Sequence, residues 1–168
     1  MQRDFTTDLQ LAEESEKLVF EKILKPRGFI QTGIQYWFAK YGVKTTKELP
    51  EECDFINREH PEYGVEVKSL AGGYPTFCIE KYSDDLQLHS PGWLKSTETK
   101  LLRKIIIHNR ADGFAYIYSP EKLLEQVKLY PDSQLTRARN GCRDDSGWLA
   151  KFMWEDTDAG YITKVKIS

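Results

Sequence analysis

The segment Gly64-Val65-Glu66-Val67-Lys68-Ser69-Leu70 constrains this chain more than any other. Its apolar and charged residues alternate with period two, which predicts a strand with Val65 and Val67 on one face and Glu66 and Lys68 on the other. Pro61 and Gly64 supply a turn before it, and Gly72-Gly73 a turn after it. Cys53-Asp54-Phe55-Ile56 and Thr76-Phe77-Cys78-Ile79-Glu80 flank those turns as further short strands, so the chain should meander through three antiparallel strands. Ahead of them, Asp8 to Lys25 reads as an amphipathic helix. Thr7-Asp8-Leu9-Gln10 fits a capping box, and Lys25-Pro26-Arg27-Gly28 supplies the stop. Leu9, Ala12, Val19, Phe20 and Ile23 form its apolar stripe, with Glu16 near the middle, where an unpaired charge is costly.

Gly33 to Tyr41 is aromatic and reads as a first strand or a short helix, and Lys44 to Glu52 as a polar connection. Tyr82 to Pro91 reads as a loop, and Trp93 to Arg110 as a basic, partly helical stretch. Phe114 to Tyr118 is a strand, Pro120 to Tyr130 a helix with proline in its first turn, Asn140 to Ser146 a loop and Tyr161 to Ile167 a final strand. No repeat or linker interrupts this order, so residues 1–168 are expected to form a single α/β domain. A chain of 168 residues can bury roughly 70% of the surface it would expose unfolded. The longest apolar run, Ile105-Ile106-Ile107, is far short of a membrane span, and no signal-peptide core follows Met1, so a soluble, cytoplasmic protein with no membrane partner is expected. Three scattered cysteines and three scattered histidines lack the spacing of a disulfide framework or a zinc site.

If the first two strands pair across the Pro61–Gly64 turn, Asp54 approaches Glu66 on the face that also carries Lys68. Glu80 could join from the next strand, and Glu16 from the helix. Close carboxylates repel unless a cation neutralises them or a proton is retained. An all-oxygen set suits a hard ion, Mg²⁺ or Mn²⁺. A lysine beside such an ion can hold an attacking water and stabilise charge developing on a phosphoryl oxygen.

Asp54, eleven residues, then Glu66-Val67-Lys68, behind a helix bearing Glu16, resembles the PD-(D/E)xK nuclease superfamily. The Ile79-Glu80, Pro91-Gly92-Trp93 and Lys95-Ser96-Thr97 segments are similar to those of small phage-associated members, and Glu16 to the helix carboxylate of Holliday-junction-resolvase-like ones. Cys53 stands where the superfamily's name would put proline. The resemblance covers about residues 8 to 130. It implies a restriction-endonuclease-like core of helix, three-strand meander, further helix and strand, in a mixed sheet flanked by helices. It also implies Mg²⁺- or Mn²⁺-dependent DNA hydrolysis, with Asp54 and Glu66 as catalytic metal ligands, Glu80 and Glu16 as further ligands, and Lys68 as the catalytic lysine.

Lys95, Lys100, Arg103 and Lys104 form the candidate DNA-backbone platform, with Arg137, Arg139 and Arg143 as a weaker one. Such runs otherwise serve as solvated faces. DNA is the expected partner, and a second copy of the chain a further one. The rival reading is a domain of the same fold that binds nucleic acid or protein without cutting. An E-x-K triplet on a half-exposed strand is itself ordinary patterning, so convergence of Asp54, Glu66 and Lys68 in space is what separates the readings.

Overall fold

The structure, a computed structural model, describes residues 5–32, 53–83, 102–137 and 147–168. Helix α1 (Phe5–Val19) continues into one π turn (Phe20–Leu24) and a 3-10 turn (Lys25–Arg27). Gly28, at φ 79°, ends the run where the Pro26–Gly28 signal places the stop. The buried line of this helix runs through Ser15, Val19, Ile23 and Leu24, while Leu9 is half exposed. Glu16 therefore sits at the edge of the buried face, one step of about 100° from Ser15.

Six strands form one mixed sheet in the order β1-β2-β3-β5-β6-β9. They are β1 (Phe29–Gln31), β2 (Phe55–Asn57), β3 (Gly64–Leu70), β5 (Leu102–Asn109), β6 (Phe114–Tyr118) and β9 (Tyr161–Lys166). All neighbours are antiparallel except β3 and β5. The antiparallel meander is thus β1-β2-β3, and not the three strands beginning at Cys53. Strand β4 (Thr76–Ser83) leaves this sheet and pairs with β8 (Gly147–Met153), which also pairs with the short β7 (Thr136–Arg137). The reason is that Phe77 and Ile79 pack inward against Tyr118, Phe152 and Trp154 instead of extending the β3 edge. β5 takes the place beside β3.

The basic stretch also departs from its helical reading. Ile105, Ile106 and Ile107 are all buried, because β5 is covered on both faces, and three β-branched residues in a row suit such a strand. Helix α2 (Pro120–Leu129) forms where expected, behind Ser119. Gly33 to Tyr41, Lys44 to Glu52, the 93–101 part of the basic stretch, and Asn140 to Ser146 lie outside the described residues.

Two apolar layers sandwich the large sheet. On one face α1 and the π turn bury Val19, Ile23 and Leu24 against Phe55, Val65, Val67, Ile106 and Ala115. On the other, α2 and the small sheet close over Ile56, Ile105, Ile107, Tyr116 and Tyr118. Period two along β3 thus decides the site's placement. Val65 and Val67 hold the helix, and Glu66 and Lys68 project from the opposite face. At the end of β3, Gly72 lies at φ 72°, and any Cβ there would overlap the Asn109 side-chain amide. The chain can reverse at this point only through glycine.

Candidate active site

Asp54 lies in the bend leading into β2, and Glu66 and Lys68 lie on β3, so the hairpin alone brings them together. Asp54 Oδ2 accepts the Val67 backbone N–H at 2.7 Å, which pins the carboxylate between Glu66 and Lys68. Lys68 Nζ lies 2.6 Å from Glu66 Oε1. Glu66 is buried, and Lys68 is about one-third exposed. The pair thus joins an interior carboxylate to a cation open to solvent.

The electrostatics show these groups acting on one another. Burial pushes the Glu66 carboxyl up to about 7; Asp54 and Glu16 add to the rise and Lys68 opposes it. Burial raises Asp54 above the usual carboxylate range, against the Val67 N–H and Lys68. Glu16 is raised by burial, then by Asp54 and Glu13, with Lys68 again opposing. The helix carboxylate thus feels the charges of Asp54 and Lys68, with no direct contact to either. Burial with Glu66 nearby pushes the Cys53 thiol up to about 12, which keeps it a protonated, inert core residue.

Among the described residues no group of three or more His, Cys, Asp or Glu side chains forms a ready ligand shell. The geometry gives the reason: Glu66 is turned onto Lys68, and Asp54 onto a backbone N–H. The donor chemistry nonetheless suits a hard divalent cation, because the three carboxylates raise one another's affinity for positive charge.

Glu80 lies on β4 in the small sheet, opposite Leu149 and against Gly147. Of the expected platform, Lys95 and Lys100 lie outside the described residues. Arg103 and Lys104 are half-buried on β5, where burial and nearby Lys122 pull the Lys104 ammonium down. Arg137, on β7, stacks over Trp148 at 5.4 Å, while Arg139 and Arg143 lie outside the described residues.

The sequence alone does not show a buried polar clip beneath Glu16. Ser15 Oγ donates to Ser69 Oγ and pairs with His108 Nδ1, both at 2.9 Å. Since the hydroxyl donates to Ser69, it accepts from an Nδ1–H, leaving Nε2 to face the Ser168 hydroxyl. Burial, then Arg110, push His108 toward the neutral form this arrangement needs, with Asp112 opposing. Ser15 and Ser69 are chain neighbours of Glu16 and Lys68, so the clip ties the helix to the strand where the candidate groups meet.

The chain matches no family model, no curated protein and no solved structure.

Proposed function

We propose that this protein is a metal-dependent nuclease that hydrolyses phosphodiester bonds in DNA, with Asp54, Glu66 and Lys68 as its catalytic residues. The observation that carries this reading is their convergence from a bend and one strand into a single electrostatically coupled group, with Glu16 joining from α1. The order helix, antiparallel meander, then a strand completing a mixed sheet also fits the restriction-endonuclease-like core that the resemblance implies.

Asp54, Glu66 and Glu16 would hold Mg²⁺ or Mn²⁺, which would supply positive charge to a phosphoryl oxygen and acidify a bound water. Lys68 offers three N–H donors and no lone pair, so it orients rather than ligates. Its solvent-open ammonium can hold the attacking water and stabilise the charge that grows on the phosphoryl oxygen. A cation there would offset the burial and the Asp54 charge that push the Glu66 carboxyl up, and hold it ionised as a ligand. The Val67 N–H fixes the Asp54 carboxylate throughout.

The test is cleavage of linear, circular, branched and single-stranded DNA with Mg²⁺ or Mn²⁺. The parent should cut at least one form, and Lys68→Ala should slow it by about 10²-fold or more while retaining metal binding. Lys68→Arg should recover only part of the rate, because a planar fork does not replace a compact ammonium. Lys68→Ala cutting at the parent rate would sink the mechanism. A parent inert toward every form would favour a binding domain that does not cut.

A further inference from the structure

Two hollows open where the end of α1 and the π turn meet β1 and β2, and Phe20 lines both. The smaller, about 380 Å³, is bounded by Glu13, Glu16, Lys17, Gln31 and the Phe20 and Phe55 rings. It opens next to Asp54: Phe55 follows Asp54 in the chain, Gln31 pairs with Phe55, and the Thr32 N–H donates to the Asp54 carbonyl. Across Phe20 lies the larger hollow, about 610 Å³, where Lys25, Arg27, Arg58 and His60 meet Glu59. All five are exposed, and their formal sum is +2 with His60 neutral.

The two hollows differ in what they can accept. Glu13 and Glu16 make the smaller one hostile to a phosphate but able to accept N–H groups from the edge of a base. Its floor is aromatic: Phe20 stacks on Phe55 with centroids 5.4 Å apart and planes 10° from parallel. The larger hollow is cationic and polar, and fits phosphate oxygens. The single π turn at Phe20–Leu24 sets Phe20 on the divide between them, and such turns recur at functional sites.

We propose that the DNA strand flanking the scissile phosphate runs from the Asp54–Glu66–Lys68 group across Phe20 into this basic hollow. One base stacks at Phe20, and the following phosphates lie against Lys25 and Arg58. This rests on the nuclease reading for the identity of the ligand, and places its track on the α1 end and the β1-β2 edge rather than on the Lys95–Lys104 stretch. Arg27 plays a mixed part, because its Nη1 donates to the Ile23 carbonyl and caps the turn. Lys25 is held only by an exposed i,i+4 pair with Glu21 at 3.2 Å, which a phosphate can displace, so Lys25 and Arg58 are the residues to change.

The experiment is equilibrium binding of a labelled 12-nucleotide single strand and its duplex to the full chain in EDTA, by fluorescence anisotropy over 50–200 mM salt. Lys25→Ala with Arg58→Ala should weaken binding and lower the single-strand salt slope by about 1.4, so the variant loses about sevenfold less affinity than the parent over that range. Phe20→Leu keeps an apolar side chain but removes the stacking face; it should weaken single-strand binding by about 5- to 150-fold and leave the salt slope unchanged. The melting temperature of each variant checks the fold, and the exposed pair carries the test if Phe20→Leu unfolds. Parent-like affinity and slope in the double variant would overturn the track, even in a chain that cleaves DNA. Expected binding effects in a chain that never cleaves would support the track and overturn the nuclease reading alone. A parent that binds neither probe would overturn the track and leave the nuclease reading to the cleavage test.

Discussion

Glu66→Gln removes one charge from the candidate site and little else. The amide keeps the shape of the side chain, and its oxygen can still accept from Lys68. Folding raises the Glu66 carboxyl from 4.5 to about 7, chiefly by burial and then through Asp54. An acid raised by folding binds its proton more tightly in the folded state. Its stabilising effect is therefore complete below 4.5 and is lost as pH climbs to about 7. At about 1.4 kcal/mol per pH unit the loss is at most about 3 kcal/mol, since Asp54 shares in the same titration. Glu66→Gln carries no such penalty, so in metal-free buffer it should be the more stable protein at pH 8, by up to roughly 6–12 °C in melting temperature. Near pH 5 the gap should close. His108 works in the opposite direction: burial lowers it, so its contribution is present above 6.5 and fades as pH falls. Both proteins contain His108, so the difference between their curves isolates Glu66. Thermal unfolding in EDTA from pH 5 to 8 measures this. Parallel curves, or a variant less stable at every pH, would refute the claim that Glu66 is held under electrostatic strain.

Two further outcomes test the surroundings. Mn²⁺ should raise the parent's melting temperature, by the equivalent of about 2.7 kcal/mol at one hundred times Kd, and Asp54→Asn should lose most of that rise; equal responses in both would remove Asp54 from the ligand set. Ser15→Ala strips partners from buried His108 and from Ser69, and should cost about 1–3 kcal/mol in urea unfolding at pH 8; a cost near zero would mean the clip holds nothing.

What could be read from the sequence is what depends on near neighbours. The α1 stop at Pro26–Gly28, the β3 alternation and the turn that delivers Asp54 to Val67 all lie within one helix end or one hairpin. β1 escapes the pattern because Phe29-Ile30-Gln31 is only three residues long and follows directly on the helix stop, so it reads as part of the breaker. β5 reads as helical because lysine and arginine density outweighs Ile105-Ile106-Ile107, although a buried central strand needs such a run on both faces. Nor does anything in Thr76–Glu80 announce that its partner is Gly147–Met153, some seventy residues on. An apolar alternation specifies a face to bury, not the strand to pair with.

The same division runs through the site, and α1 shows why. Successive helix residues point about 100° apart. Read as one stripe from Leu9 through Ile23, the helix puts Glu16 in the middle of its apolar face. The structure rotates that face until Ser15 lies against the sheet and Glu16 stands at its edge, within reach of the charges of Asp54 and Lys68. The sequence pattern could not fix this rotation, because the partner that decides it is His108, ninety-three positions away. A hydroxyl inside an apolar stripe reads as a weak interruption when seen alone. Opposite a buried imidazole and a second hydroxyl it becomes a directional contact, and rolling the helix would leave both partners unsatisfied. Glu16 therefore comes under the influence of the hairpin charges as a consequence of where Ser15 must point. The polar residue that sets the helix and the acidic residue that serves the site are adjacent in the chain and a quarter-turn apart in space.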